Sequence, residues 1–301
     1  MDLNIVVFLS FFFLHLFVLA KVKPSSINLS KVDFFDVGQG SSVLISTKEN
    51  CKILIDTGKK MEFLKAYSKT YPIALTGIDL LILTHSDYDH IGDFENVFNF
   101  FEPNFLMLNG SFKNSQKSRS LRLYTKKSSI FTIFAQKGEE FEICGLKGYV
   151  LSPDYRFNHY SNENEKSLTI LFQLNNFTNL LITGDLERES KFLNLSDLKI
   201  RSQNKINLYL ASHHGSNTSS DMQFLNAFNP TVSFIQAGIN NPYSHPHAEI
   251  VNRICLISGS IFNTQVNGSI QVTLPSYIDE KIQRHPKLTI ETQRGQPMVC
   301  E

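Results

Sequence analysis

Residues 80–92 constrain this chain more than any other part of it. The segment reads LLILTHSDYDHIG, and its apolar start is too short for a helix, so it predicts a buried strand. Four metal-ligand side chains follow that strand: His85, Asp87, Asp89 and His90. Positions two apart in an extended chain point to the same side, so His85 and Asp87 are expected to converge on one ion. A helical turn would then carry Asp89 and His90 to a neighbouring position.

Imidazole and carboxylate are ligands that Zn, Mn and Fe share, and two such ions held a few ångström apart activate water for hydrolysis. The alternative interpretation is a polar surface turn, which explains the spacing poorly.

The chain has 301 residues, is 42% apolar and contains 25 Phe and no Trp, which predicts a large Phe-filled core in one large domain or two small ones. Its net charge of +1 gives no global argument for nucleic acid.

The N-terminal segment differs in kind from the rest. Residues 5–20 carry no formal charge, and Lys21 and Lys23 follow them. That length fits a signal-peptide core better than a full membrane span, which needs about 20 residues. Residues 1–23 are therefore expected to be a signal peptide or an N-terminal membrane anchor. The protein would be exported, to a periplasmic or extracellular location, or associated with a membrane through residues 5–20.

The four cysteines, at positions 51, 144, 255 and 300, are far apart and form no CxxC pair. A zinc knuckle or a redox motif is therefore disfavoured. In an exported protein they would form up to two disulfides, in three possible connectivities. Single buried thiols remain an equal alternative.

Several polar phrases follow strand-like runs elsewhere in the chain. They are DVGQGSS at 36–42, LIDTG at 54–58, NEKSL at 164–168, LLITGD at 180–185, SHHGSNTSS at 212–220 and NNPYSHPH at 240–247. Together with the segment at 80–92, they resemble, in this order, the metallo-β-lactamase-fold domain of ComEC-type competence (DNA-uptake) proteins. DVGQGSS and HHGSNTSS are the most specific phrases. Asp87 stands where the metal loop HxHxDH usually has its second His, and Ser244 replaces a Gly.

This resemblance implies an α/β chain with the four-layer αββα metallo-β-lactamase fold, in which two central mixed sheets are flanked by helices. The domain would span residues 31–273, and residues 274–301 would form a peripheral tail. The resemblance also implies two divalent metal ions, with the metal ligands His85, Asp87, Asp89, His90, Asp185 and His214. Asp185 would bridge the two ions, although an aspartate at a strand end is ordinarily a helix cap.

The candidate catalytic residues are His213, His245 and Asp89. Which of His213 and His214 is the metal ligand, and which lies beside it, stays open. His245 is either a metal ligand or a general acid. The oxygen-rich ligand set moves the expected metal from Zn toward Mn or Mg, with Zn still a candidate.

The implied function is a metal-dependent hydrolase, a phosphodiesterase or nuclease acting on DNA or related phosphodiesters, with single-stranded DNA a candidate substrate. One alternative is an exported, non-catalytic DNA-binding component of uptake, and another is a choline-phosphate-esterase-like hydrolase. Residues 103–137 contain six Lys or Arg between positions 113 and 127 and no acidic residue. This stretch would steer a polyanion toward the site, or it is a solvated loop.

Overall fold

The computed structural model of the protein describes residues 30–71, 77–155, 160, 162–274 and 288–300. The strands of this part are β1 (Lys31–Phe34), β2 (Val43–Ser46), β3 (Lys52–Ile55), β4 (Leu80–Leu83), β5 (Phe105–Leu108), β6 (Phe131–Phe134), β7 (Glu140–Ile143), β8 (Leu146–Ser152), β9 (Thr169–Gln173), β10 (Thr178–Ile182), β11 (Ile206–Leu210), β12 (Val232–Ile235), β13 (Ser260–Asn263), β14 (Ile270–Thr273), β15 (Thr289–Thr292) and β16 (Met298–Val299).

The helices are α1 (Glu62–Thr70), α2 (Tyr88–Ile91), α3 (Phe94–Phe101), α4 (Gln116–Lys127), α5 (Glu189–Phe192), α6 (Leu195–Ser202), α7 (Met222–Phe228), α8 (Ala248–Cys255) and α9 (Thr264–Asn267). Two short 3-10 turns cover Asn164–Lys166 and Ser212–Gly215.

The strands form two eight-stranded mixed sheets. The first has the order β15-β14-β1-β2-β3-β4-β5-β6, and the second has the order β16-β13-β12-β11-β10-β9-β8-β7. In the first sheet β3 to β6 are parallel, and in the second β10 to β13 are parallel. Parallel neighbours end at the same edge of a sheet, so the loops that follow these strands gather there.

Three apolar cores separate four layers. Between the sheets, the rings of Phe34 and Phe234 stack with centroids 4.0 Å apart. Outside the first sheet, Phe63 of α1, Phe94 of α3 and Leu121 of α4 share a second core. Outside the second, Tyr209 and the helical phenylalanines of α7 are buried. The predicted αββα fold is confirmed, and phenylalanine fills much of all three cores, as its abundance predicted.

Two aspartates fix the starts of helices. Asp93 directly precedes α3, and its carboxylate accepts hydrogen bonds from the Met61 amide (2.7 Å) and the Asn96 side chain (2.6 Å), so it also fixes the start of α1. Asp221 caps α7 by accepting a hydrogen bond from the Phe224 amide at 3.0 Å.

The structure covers part of the C-terminal tail of the expected domain division but not its N-terminal segment. Residues 1–23 lie outside the part that the structure describes. The tail after residue 273 adds one edge strand to each sheet, because β15 pairs with β14 and β16 pairs with β13. In the described ranges, no helix has both the length and the apolar character needed to cross a membrane.

Both disulfides join consecutive cysteines. Cys51 pairs with Cys144, which ties the end of the β2–β3 turn in the first sheet to the β7–β8 turn in the second. Cys255 pairs with Cys300, which fastens the C-terminal strand to α8. The sequence allowed three disulfide connectivities or free thiols. The observed pairing is one of the three connectivities.

We expect reduction of these bridges to lower the thermal midpoint of unfolding. The closed loops span 93 and 45 residues, and the chain-entropy argument gives about 4–5 kcal/mol for each as an upper value. Differential scanning fluorimetry with and without reductant, alongside the double variants Cys51→Ser/Cys144→Ser and Cys255→Ser/Cys300→Ser, measures the effect. An unchanged midpoint in reductant, with free thiols detected in the untreated protein, would contradict the pairing.

Candidate metal centre

The loops after the parallel strands of both sheets meet at one cluster of buried polar groups. The loop after β4 supplies His85 and leads into α2, which carries Asp89 and His90. The loop after β10 supplies Asp185, and the turn after β11 supplies His214. All five residues are metal ligands in the sequence-based prediction, and four of them are buried, with Asp89 partly exposed.

The first group of ligand atoms consists of His85, His90 and Asp185, and all three side chains are buried. His90 Nε2 lies 3.1 Å from Asp185 Oδ1, and His85 Nε2 lies 3.8 Å from Asp185 Oδ2. One atom from each residue lies within 4.8 Å of the other two. This is the spacing of ligands around a single cation.

A second group shares His90 with the first and adds Asp89 and His214. His214 Nε2 lies 3.5 Å from Asp89 Oδ2 and 3.7 Å from Asp185 Oδ2. Asp185 therefore contacts residues of both groups, which is the arrangement of a bridging carboxylate. The sequence alternative, in which Asp185 caps a helix, does not hold, because α5 begins at Glu189 and receives no side-chain cap.

The hydrogen-bond partners of two rings leave both Nε2 atoms directed into the centre. His90 Nδ1 faces Asp56 Oδ2 at 2.7 Å, and His214 Nδ1 faces the carbonyl oxygen of Gln236 at 2.9 Å. Both partners are acceptors, so both Nδ1 atoms carry a hydrogen. The two Nε2 atoms lie 3.3 Å apart. Each Nε2 either carries a proton, with Asp185 or Asp89 as its neighbouring acceptor, or offers a lone pair to a metal ion, and the residues therefore fit a bound divalent ion.

Other polar atoms here also lack a protein partner. His85 Nε2 is buried without a hydrogen-bond partner in the described part of the protein, and so is Asp87 Oδ1. Burying an unpaired polar atom costs free energy, so native structures normally satisfy it. His85 belongs to the first ligand group, so a cation bound there would satisfy its Nε2 atom.

The electrostatics of the centre reflect an excess of buried carboxylate. Burial alone opposes charge on every group, but His90 and His214 hold the pKa of Asp185 well below its usual value. In return, Asp185 raises the pKa of His90, with help from Asp56, and it also raises the pKa of His214. His85 behaves differently, since its burial and the nearby His90 lower its pKa. The centre thus attracts cations strongly.

Asp56 supports the centre from behind. Its two oxygens accept from the Thr84 amide and the Thr84 hydroxyl, both at 2.8 Å, as well as from His90. A carboxylate that holds the far nitrogen of a ligand histidine fixes the tautomer and orientation of that ring. Asp56 is fully buried and adopts a φ of 57°, a left-handed conformation that costs free energy for a residue with a side chain.

Gln236 joins the two halves of the chain beside His214. Its side-chain amide donates to the carbonyl oxygens of Phe35 (2.8 Å) and Ser42 (2.7 Å), while its side-chain oxygen accepts from the Ser41 hydroxyl (2.9 Å). Its backbone carbonyl is the one that accepts from His214. The DVGQGSS segment of the first half is therefore tied to a ligand candidate of the second.

The glycines of DVGQGSS allow this segment to approach the centre closely. A Cβ on Gly40 would lie 2.4 Å from the carbonyl oxygen of Asp89, and the next amide, that of Ser41, donates to the same oxygen at 3.1 Å. Gly238 is equally confined, since its Cβ would lie 2.5 Å from the Gln39 amide nitrogen. Glycine is needed here for contact between backbones, as well as for the turn itself.

Asp87 stands outside both groups, in contrast to its expected convergence with His85. Its Oδ2 is held at 2.9 Å by the Lys113 ammonium group, and the Lys113 amide donates to Ser86 Oγ at 2.7 Å. The ion pair turns one carboxylate oxygen toward the loop that carries Lys113. The other oxygen, the unpartnered Oδ1, remains buried.

The remaining predicted site residues surround the two groups. His213 Nε2 lies 3.7 Å from Asp185 Oδ2, and its side chain is more exposed than that of His214. His213 and His214 both adopt left-handed backbone conformations, which are rare for residues with a side chain and are typical of functional sites. His245 lies with its ring centroid 5.6 Å from that of His213, and burial together with the neighbouring histidines lowers its pKa to about 4.

Sequence reasoning missed the supporting residues Asp56, Thr84 and Gln236. Asp56 had a usable signal, because it ends a strand that runs parallel to β4 and so shares its edge of the sheet. Gln236 also ends a strand, yet nothing local in the sequence shows that its partners lie some 200 positions away, at Phe35 and Ser42.

Comparison with known proteins agrees with this geometry. The profile of the metallo-beta-lactamase superfamily matches residues 35–107. Among solved structures, a metallo hydrolase from the archaeon Ignicoccus hospitalis is 15% identical, with a TM-score of 0.50, covering 80% of this chain and 98% of the other. The metallo-β-lactamase fold protein YhfI from Bacillus subtilis is 11% identical, with a TM-score of 0.50, covering 77% and 95%. These two likenesses show the fold alone.

Curated relatives extend the match. ComE operon protein 3 of Bacillus subtilis (strain 168) is 26% identical over 267 residues, covering 83% of this chain and 34% of that protein. Competence protein ComA of Neisseria gonorrhoeae is 30% identical over 262 residues, covering 82% and 33%. Recombination protein 2 of Haemophilus influenzae is 29% identical over 250 residues, covering 80% and 28%. This chain spans about a third of the length of these relatives. It carries a domain of the metallo-β-lactamase superfamily and is homologous over that domain to competence proteins of the ComEC type.

Proposed function

We propose that this protein is a metal-dependent phosphodiesterase or nuclease that hydrolyses DNA or a related phosphodiester. The observation that carries the proposal is the pair of ligand groups that share His90 and contact Asp185, with two imidazole Nε2 atoms 3.3 Å apart. Two adjoining cation positions suit the in-line displacement of a phosphodiester, in which both the attacking and the leaving oxygen need stabilisation. The homology to competence proteins agrees with a substrate of this kind.

In this proposal His85, His90 and Asp185 would hold one ion, and His214 and Asp89 would hold the second together with Asp185. Divalent ions held there would supply Lewis-acid activation of water and would stabilise the charge that develops on phosphorus-bound oxygens. Asp87 completes the set if its unpartnered Oδ1 turns inward. Three imidazoles and two carboxylates suit Mn or Zn better than Mg, which prefers oxygen ligands and water.

The residues that handle protons would be His213 and His245. His213 borders the centre beside Asp185, and its side chain is accessible, so it is the better placed to protonate the leaving oxygen. His245 is more buried, and its low pKa favours the neutral ring, which suits a hydrogen bond to substrate. Asp89 is the partly exposed member of the second ligand group, and there it would orient the attacking water.

The proposal includes export or membrane tethering through residues 5–20. Two disulfides support it, because such bonds persist in oxidising compartments and are rare in the cytosol. The alternatives, a non-catalytic DNA-binding component and a choline-phosphate-esterase-like hydrolase, make different predictions in one experiment.

That experiment strips the protein of metal with chelator and restores Mn, Zn or Mg in the presence of single-stranded DNA, duplex DNA, a chromogenic phosphodiester or a chromogenic choline-phosphate ester. We expect metal-dependent cleavage of the DNA and of the phosphodiester, and a loss of at least about 100-fold in Asp185→Ala, because a bridging ligand is removed. Preference for the choline-phosphate ester would select the esterase. Retention of DNA with no turnover of any substrate would select the binding component.

The support from Asp56 generates a second prediction. Asp56→Asn keeps the size of the side chain but places an amide that donates hydrogen bonds where a carboxylate accepts from His90. We expect metal affinity, measured by Mn titration calorimetry, to fall about 10- to 100-fold. Asp197→Asn, which makes the same change in an exposed ion pair with Arg201 on α6, is the matched control. Equal Mn affinities of the two variants would show that Asp56 does not support the metal centre.

The raised pKa values of His90 and His214 generate a third prediction. Both rings hold protons at a pH where an ordinary histidine has lost them, since nearby carboxylates outweigh the effect of burial. Metal must displace these protons, so binding releases protons and affinity falls as the pH is lowered. Calorimetric Mn titrations in two buffers of different ionisation enthalpy count the protons released. A proton count of zero throughout the range from pH 6 to 8 would contradict this account.

A further inference from the structure

We propose that the outer face of α4 is the approach path of single-stranded nucleic acid to the metal centre, and that Tyr88 stacks on a base where this path ends. The inference rests on the proposed phosphodiesterase function and names the form of its substrate and the surface that receives it.

The inner face of α4 is committed to packing. Tyr124 contacts the rings of Phe98 and Phe94, with centroids 4.4 and 6.0 Å apart, and Leu121 is buried in the same core. Lys117 also turns inward, where it pairs with Glu95 at 2.9 Å. These contacts fix which side of the helix faces solvent.

The outer face of α4 is strongly basic. We call it the basic face, and it consists of four exposed cations: Arg119, Arg122, Lys126 and Lys127. Within the described ranges, none of the four forms an ion pair with a carboxylate. The surrounding segment also contains no acidic residue from position 103 to position 137. Unpaired cations on one helix face favour contact with a phosphate backbone, because binding releases the counterions of the polyanion.

The basic face leads to the metal centre. Arg119, Arg122 and Lys126 follow one another at spacings of three and four residues, so they form one row along about 10 Å of helix. Lys113, in the loop before α4, continues toward the centre and pairs with Asp87 at 2.9 Å. Helix α2, which carries Asp89 and His90, packs beside α4. A backbone bound along the row would therefore arrive at the ligand groups.

Exposed aromatic rings at the centre favour a single strand over a duplex. Tyr88 lies between Asp87 and Asp89 and is 49% exposed. Tyr243 is 59% exposed and stacks on His245, with centroids 5.6 Å apart. An aromatic side chain stacks on an unpaired base of any sequence, whereas the bases of a duplex present their faces only to one another. Cations together with exposed rings thus match a single-stranded polynucleotide.

The test compares two triple variants with equal change in charge. The first is Arg119→Ala/Arg122→Ala/Lys126→Ala. The control is Lys48→Ala/Lys147→Ala/Lys199→Ala, which removes three exposed lysines from other parts of the surface. Fluorescence anisotropy with a labelled oligodeoxythymidine, and separately with a matching duplex, is measured in EDTA over a series of salt concentrations. Thermal midpoints confirm that every variant is folded.

We expect the basic-face variant to bind the single strand at least about tenfold more weakly, with the slope of log affinity against log salt reduced by about two for three lost phosphate contacts. The control should bind like the unmodified protein. Tyr88→Leu should weaken single-strand binding about tenfold and leave duplex binding nearly unchanged.

Equal binding by the two triple variants would overturn the path, and so would the absence of binding to any oligonucleotide. Tighter binding of the duplex, with no effect of Tyr88→Leu, would overturn the assignment to single strands. Hydrolysis of the chromogenic phosphodiester with metal restored tests the proposed function separately, since that small substrate does not reach the basic face. The basic-face variant should hydrolyse it at the unmodified rate.

Discussion

The buried carboxylate of Asp185 is the group on which the centre depends. Its two oxygens lie within 3.8 Å of imidazole nitrogens from two segments of the chain: His85 and His90 after β4, and His213 and His214 after β11. A buried charge of this kind is unfavourable unless cations compensate it. The loops that follow the parallel strands of both sheets converge on this buried negative charge. Its burial favours the binding of a cation there.

The candidate ligands are held in place by hydrogen bonds from residues behind them. Asp56 holds Nδ1 of His90, and the backbone of Gln236 holds Nδ1 of His214, so the Nε2 atoms of both rings are directed into the centre. The Gln236 side chain makes three hydrogen bonds to the DVGQGSS segment and a fourth to the carbonyl oxygen of Phe35. Gly40 of this segment lies against the backbone of Asp89. Position of the ligands is thus a property of the interface between the halves of the domain rather than of any single loop.

The sequence predicted the fold and much of the centre, because strand ends, glycine turns and ligand side chains are all local signals. It could not predict where Asp87 would turn, since that depends on an ion pair with Lys113, 26 positions away. The histidine order was open because neighbouring residues share the same local pattern. The left-handed turn at His213 and His214 separates them, bringing His214 inward and leaving His213 nearer to solvent. The sequence showed that residues 113–127 are basic, but not which face of α4 is exposed. Only the packing of α4 against Phe94 and Phe98 shows that face.

The two disulfides join the first cysteine to the second and the third to the fourth, and the loops they close do not overlap. An oxidant that acts on cysteines in the order in which a chain is synthesised would form both native bonds directly. No isomerase would then be required to exchange them. Asp185 and His214 emerge between the two closures, so the centre can assemble on a scaffold that is already cross-linked between its sheets, with the last bond added after the ligands are in place.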